Sequence, residues 1–184
     1  YRNMVLEGED VRAFIEREPG EDHARIWATK RDGTEVLKGT ASIGPHAPPS
    51  ALDLRLNELA PLEQAVILRD LKVGQRTRRV AIRMDANQHM GALYPFSPND
   101  KLAKITEPSA WYSSDATPWK RAIIPFELIS VLLQHVARQD GLQIRGPAVG
   151  LFADQEIRLI KGPLLVGEDY EIEREIVALT GSRR

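Results

Sequence analysis

The strongest helical pattern in the chain lies in its last third. Phe126, Ile129, Leu132, Leu133 and Val136 recur three or four residues apart, the spacing that puts apolar side chains on one face of a helix. Pro125 suits a first turn, where a missing N–H costs nothing, and Gly141 offers a stop. The pattern predicts the most apolar helix of the chain over about residues 125–137, with the rest of the fold wrapped around it. Near the N-terminus, Val11, Phe14 and Ile15 stand at i, i+3 and i+4. This predicts a short helix within "EGEDVRAFIEREPGED", ended by Pro19-Gly20.

Elsewhere the period is two. "DYEIEREIVALTG" sets Tyr170, Ile172 and Ile176 against Glu171, Glu173 and Glu175, as expected of a strand with one face in water. "RTRRVAIRM" has strand character, and "AVGLFADQEIRLIKGPLL" reads as a long strand bent near Asp154-Gln155. Two β-prone runs between Arg25 and Gly44 flank Asp32-Gly33, a strong hairpin signal. The prolines of "PHAPPSA" predict an extended connector. A Leu-rich stretch over 52–71 follows, with a helical turn around "PLEQAVIL". Residues 91–118 read as loop, with a short helix at "SPNDKLAKI" capped by Ser97 or Asn99. Residues 1–45, 46–70 and 71–184 then divide into a first folded segment, a linker and a second folded block.

Composition narrows the function classes. The 184 residues suffice for one domain or two small ones, and 42% hydrophobic with 28% charged residues is a soluble globular balance. No apolar run is long enough for a membrane span, and no secretory signal pattern opens the chain. The chain starts at Tyr1 without an initiator Met, which reads as a fragment or a processed product. With no cysteine, disulfides, thiolate metal sites and thiol nucleophiles are excluded, and a reducing cytoplasm fits. The formal net charge is -1, against a nucleic-acid partner. Arg76, Arg78 and Arg79 come closest to a basic stripe but read as a solvated strand face. His23, His46, His89 and His135 are scattered without metal spacing, so neither a metal nor another cofactor is expected.

The order of a strand, an irregular excursion, one buried helix and long antiparallel strands resembles a hotdog fold. "LKVGQRTRRVAI" resembles the opening strand of MaoC-like acyl-thioester dehydratases. "PWKRAIIPFELISVLLQHV" resembles their approach to the central helix, "GPLLVGEDYEIEREIVALTGSRR" the strand pair after it, and "DGTEVLKGTASIG" the last two strands of such a unit. The resemblance covers 1–45 loosely and 70–184 better. It implies an α+β hotdog fold, with a long antiparallel sheet around one helix. Because the closing hairpin precedes the opening strand, either the chain is a double hotdog, 1–45 closing the first unit, or the N-terminal hairpin completes a single one.

The resemblance also implies a substrate and candidate residues. MaoC-like hydratases add water to, or remove it from, an enoyl thioester of coenzyme A or an acyl carrier. An Asp and a His act as acid and base, and helix N-terminal N–H groups stabilise the oxyanion. "DANQH", with Asp85 and His89, resembles a shortened copy of the family's Asp-x-Asn-Pro-x-His motif, one residue short, without its proline and far upstream. The alternative is a polar strand end. At the expected distance before the helix, "WYSSD" supplies Tyr112 and Asp115 without a histidine. Trp111, Ser114, Trp119 and Ile124 are expected to line the substrate, and Lys120 and Arg121 to meet coenzyme A phosphates. The alternative is an ordinary turn with both indoles packed on the helix mouth.

Three functions remain open at this point. The first is a hydratase or dehydratase. The second is a hotdog thioesterase, with Asp115 or Glu127 activating water. The third is a non-catalytic acyl-thioester-binding or dimerising domain. A homodimer is the expected assembly.

Overall fold

The computed structural model describes residues 2–45, 48–60, 62, 68–91, 94–105, 109–135, 142 and 154–181. It is an α+β structure with antiparallel sheets and few helices. The chain divides into two compact units, Tyr1–Leu59 with Val149–Ile157, and Ala60–Ala148 with Arg158–Arg184.

The first unit is built on a three-stranded sheet in the order β1 (Val11–Glu16), β2 (His23–Lys30), β3 (Glu35–Ser42). The Asp32-Gly33 hairpin forms as expected. Gly33 has φ 87°, a left-handed conformation open to glycine, and Lys30 N–H donates to the Thr34 carbonyl at 2.9 Å. The short helix expected around Val11, Phe14 and Ile15 is instead strand β1. It pairs antiparallel with β2 from Val11↔Lys30 to Glu16↔Arg25. An i, i+3, i+4 triplet is too short to decide between helix and strand. The long-range partner decides it, and Phe14 stacks on the opposite Trp27 with centroids 5.2 Å apart.

Helix α1 (Ala51–Glu58) was not expected from the sequence and ends before the helical turn expected around "PLEQAVIL" begins. Its capping box has the Ser50 hydroxyl accepting from Asp53 N–H while the Asp53 carboxylate accepts from Ser50 N–H. "PLEQAVIL" lies almost wholly outside the described residues. Asp154 accepts from Arg2 and Arg55 within this same unit. Burial works against ionising Asp154, but the hydrogen bond from Arg2 and the charges of Arg2 and Arg55 outweigh it and hold its carboxyl below the usual range. A depressed folded pKa stabilises the fold above the unfolded value, and that contribution is lost as pH falls through the folded one. We expect Asp154→Asn to be destabilising at pH 7 and nearly neutral at pH 2, in denaturant titrations at both values. An equal effect at both would sever it from ionisation.

In the second unit, β4 (Val80–Arg83) pairs antiparallel with β5 (Asp169–Ile172). The ribbon continues irregularly in both directions. Gly74 N–H donates to the Ile176 carbonyl at 2.8 Å, and Gly167 N–H to the Met84 carbonyl at 2.8 Å. Period two holds over Tyr170–Ile176, whose even positions are shielded and whose Glu171, Glu173 and Glu175 face water. The register carries a bulge that the sequence did not suggest. Val80 lies opposite Ile172 but Arg76 opposite Glu175, four steps on one side against three on the other. The extra residue reverses the alternation. Thr77 is therefore buried, and Arg76 lies on the same wet face as Arg79. Arg76 pairs with Glu173 and Glu175, and Arg79 with Glu171 and Glu173. Such exposed pairs are worth only ~0–1 kcal/mol each.

Three further elements of this unit lie among the described residues. Helix α2 (Pro98–Leu102) is capped by Ser97, whose hydroxyl accepts from Asp100 N–H. A 3-10 turn spans Ala110–Tyr112. Helix α3 spans Phe126–His135, within the expected 125–137, of which 136 and 137 lie outside the described residues. Its buried face is Leu128, Ile129, Val131 and Leu132, while Phe126 and Leu133 are exposed. The expected stripe is thus rotated toward Leu128 and Val131. With Ile82, Met84, Met90, Ile124 and Ile172 these residues make up most of the buried apolar set. The long strand expected before Leu164 does not form within 154–164. Its earlier part lies outside the described residues. Among the described residues no helix is long and apolar enough to cross a membrane.

Candidate functional site

The mouth of α3 is assembled by backbone pairing. Ile124 N–H donates to the Leu164 carbonyl at 2.7 Å, and Val166 N–H to the Ala122 carbonyl at 2.9 Å. Residues 122–124 are thereby held as a strand-like edge that delivers Pro125 to the helix. Ile123 N–H donates to the Trp111 carbonyl at 2.8 Å, which fastens the 3-10 turn to the same edge. Ser114 donates its hydroxyl to the Ala110 carbonyl and accepts from Ala116 N–H. The Thr117 hydroxyl donates to the Arg121 carbonyl and accepts from Arg121 N–H. Loop 109–121 is therefore closed by its own hydrogen bonds.

On this frame Trp111 and Trp119 meet edge to face, ring centroids 5.7 Å apart, with both indoles more than 40% exposed. Asp115 is exposed and Tyr112 half-buried. Ile124 is buried in the core, 3% exposed. The two cations part company. Arg121 pairs with Glu168 and also donates to the Val166 carbonyl. Lys120 is exposed, with φ 55°.

Asp85 and His89 lie on the loop after β4, and each is bound to another group. Asp85 pairs with Arg83 at 2.8 Å, and the largely exposed His89 lies 4.0 Å from Asp100. Among the described residues the structure joins them neither to each other nor to Tyr112 or Asp115. His135 places Nδ1 3.1 Å from the Met90 carbonyl, tying the end of α3 to this loop.

A contact the sequence reading missed stands in the first turn of α3. The Tyr94 hydroxyl donates to Glu127 Oε1 at 2.8 Å. Burial, then the hydrogen bond to Glu127 and its negative charge, push the Tyr94 phenol well above its usual range, so Tyr94 stays a donor through neutral pH. Lys101 of α2 lies over the rings of Tyr94 and Phe96, at 4.9 and 5.3 Å from their centroids. The signal available in sequence was the close pair Tyr94 and Phe96 just before a capped helix. Nothing local pointed 33 residues on to Glu127.

The arrangement offers a carboxylate beside a helix start and two exposed indoles on a fixed loop. Among the described residues no group of three His, Asp or Glu side chains could hold a metal ion. No protein-family model, curated protein or solved structure matches the chain.

Proposed function

We propose that the second unit is a hotdog domain of MaoC-like type that binds acyl thioesters and hydrates or dehydrates them. The observation that supports it most directly is the mouth of α3. There a strand-paired edge leads through Pro125 into a helix with one buried face, its first turn flanked by Glu127 and a loop carrying Asp115. In this reading the thioester carbonyl lies at the start of α3, whose unpaired N–H groups and dipole favour developing negative charge. Asp115 and Glu127 are the carboxylates available to take a proton from water. Tyr112 and Tyr94 are the neighbouring hydroxyl donors. Asp85 and His89 serve less well, since each is already engaged by another charged side chain.

One observation favours a second reading. The Tyr94 hydroxyl fixes Glu127 in the first turn, the place where a thioesterase would hold a carboxylate to activate water against the thioester carbonyl. The test is mass spectrometry of enoyl-, 3-hydroxyacyl- and saturated acyl-coenzyme A esters after incubation with the protein. Gain or loss of one water is the expected result. Release of free coenzyme A would instead make the protein a thioesterase. Unchanged esters in the presence of folded protein would reject both reactions and leave a binding domain.

A further inference from the structure

Two of the three tryptophans of the chain stand together at the helix mouth, and neither is packed away. Their backbone is fixed on both sides, at Trp111 by the Ile123 N–H bond and at Trp119 by the turn that Lys120 N–H closes on the Thr117 carbonyl at 2.9 Å. The pair therefore shows water part of two indoles carried on a fixed backbone, so little backbone freedom is lost when a flat ring stacks on them.

The next residue adds the second feature. Lys120 has φ 55°, a left-handed conformation that glycine adopts freely and lysine does not. Its neighbour Arg121 is neutralised by Glu168, whereas Lys120 forms no ion pair with the described residues. The exposed Asp115 is the only other charged side chain in the described loop 109–121, where it can accept from a hydroxyl or an amine. A cation with no ion pair among the described residues, next in sequence to an exposed indole, favours an anion attached to a planar ring.

We propose that Trp111, Trp119 and Lys120 form a platform for a phosphorylated adenine nucleotide, the base stacking on indole and Lys120 meeting the phosphate. Assigning that nucleotide to coenzyme A, rather than to a free nucleotide, rests on the acyl-thioester reading above. It further implies that the thioester is presented as a coenzyme A ester. A carrier-protein phosphopantetheine has no base to stack.

Isothermal titration of the full chain with adenosine 3′,5′-bisphosphate tests the platform without any acyl group. Saturable binding is expected. Trp119→Ala should weaken it at least about fivefold, from the usual strength of base–indole stacking. Lys120→Gly should weaken it about tenfold, the scale of one charge-assisted contact, and should raise the melting temperature by removing the strained conformation. A variant that binds less while folding better separates recognition from loss of structure. Lys161→Ala, which removes an exposed charge elsewhere in this unit, should leave binding unchanged.

Absence of saturable binding, an equal loss in Lys161→Ala, or equally tight binding of phosphopantetheine would overturn the proposal. Equal binding of ATP would uphold the platform and make free nucleotide its ligand. Bisphosphate binding with no conversion of acyl esters would reject the hydratase and keep the platform. Conversion of acyl-coenzyme A without bisphosphate binding would do the reverse.

Discussion

Leu132→Ala is expected to lower the unfolding free energy of the second unit by about 2–5 kcal/mol, among the largest effects of any single core truncation among the described residues. Leu132 and Leu128 are each 2% exposed and, with Met84, are the largest fully buried side chains described. Truncation removes the transfer free energy of the deleted carbons, and the surroundings close only part of the cavity left behind. Leu133→Ala is the matched control. It is the next residue of the same helix, carries the same side chain and is 41% exposed, so its loss should stay below about 1 kcal/mol. Urea titrations followed by tryptophan fluorescence measure both. The midpoint should fall in the first variant with its slope unchanged. Equal losses in the two would mean that the helix buries a different face.

The same comparison shows what the sequence could reveal about this helix. Its existence and start were legible, because Pro125 and a long apolar run agree with each other. Its orientation was not. Phe126, Ile129, Leu132 and Leu133 fit one helical stripe as well as Leu128, Ile129, Val131 and Leu132 do, since the run is apolar nearly all round. Only what surrounds the helix chooses between the two faces. The Asp32-Gly33 hairpin and the Ser97 cap were legible for the opposite reason. Both are settled within four residues by turn geometry and by a hydroxyl reaching a nearby N–H.

Strand β1 was not legible because a triplet at i, i+3 and i+4 is too short to fix the element, and its identity comes from Trp27 on the neighbouring strand. The bulge around Thr77 was hidden for a related reason. A period-two reading assumes that both strands advance together, and here one advances by an extra residue. Within the site, the sequence marked loop 109–121 by its unusual density of aromatic and charged residues. It could not show that Arg121 is neutralised by Glu168 while Lys120 forms no ion pair with the described residues. It could not bring Tyr94 to Glu127 either. Side-chain pairs across 47 and 33 residues are products of the fold and carry no local pattern.

Those pairs decide which carboxylate to test. Under the acyl-thioester reading, Glu127→Gln is expected to lower kcat by about 10²–10⁴-fold, the usual contribution of a positioned acid or base, with KM little changed. Glutamine keeps the size of the side chain and a carbonyl that can still accept from the Tyr94 hydroxyl, so the local structure survives while the base is lost. Tyr94→Phe should cost less, about tenfold in kcat, because it frees the carboxylate without removing it. Asp115→Asn discriminates further, since Asp115 is exposed and has no ion-pair partner among the described residues. If Asp115→Asn abolishes turnover and Glu127→Gln does not, the reacting carboxylate belongs to the loop, and the Tyr94–Glu127 pair only fastens the start of α3. If Glu127→Gln alone abolishes it, the chemistry sits on the helix. Steady-state kinetics on the ester that reacts in the mass-spectrometric panel, with melting curves for each variant, distinguish these outcomes. The pH profile adds an independent check. The Tyr94 phenol is raised by burial and by its contact with Glu127, so no alkaline fall in kcat should arise from ionisation of Tyr94 near the ordinary tyrosine value of about 10. A fall there that disappears in Tyr94→Phe would show the phenol to be less buried, and its contact with Glu127 weaker, than described.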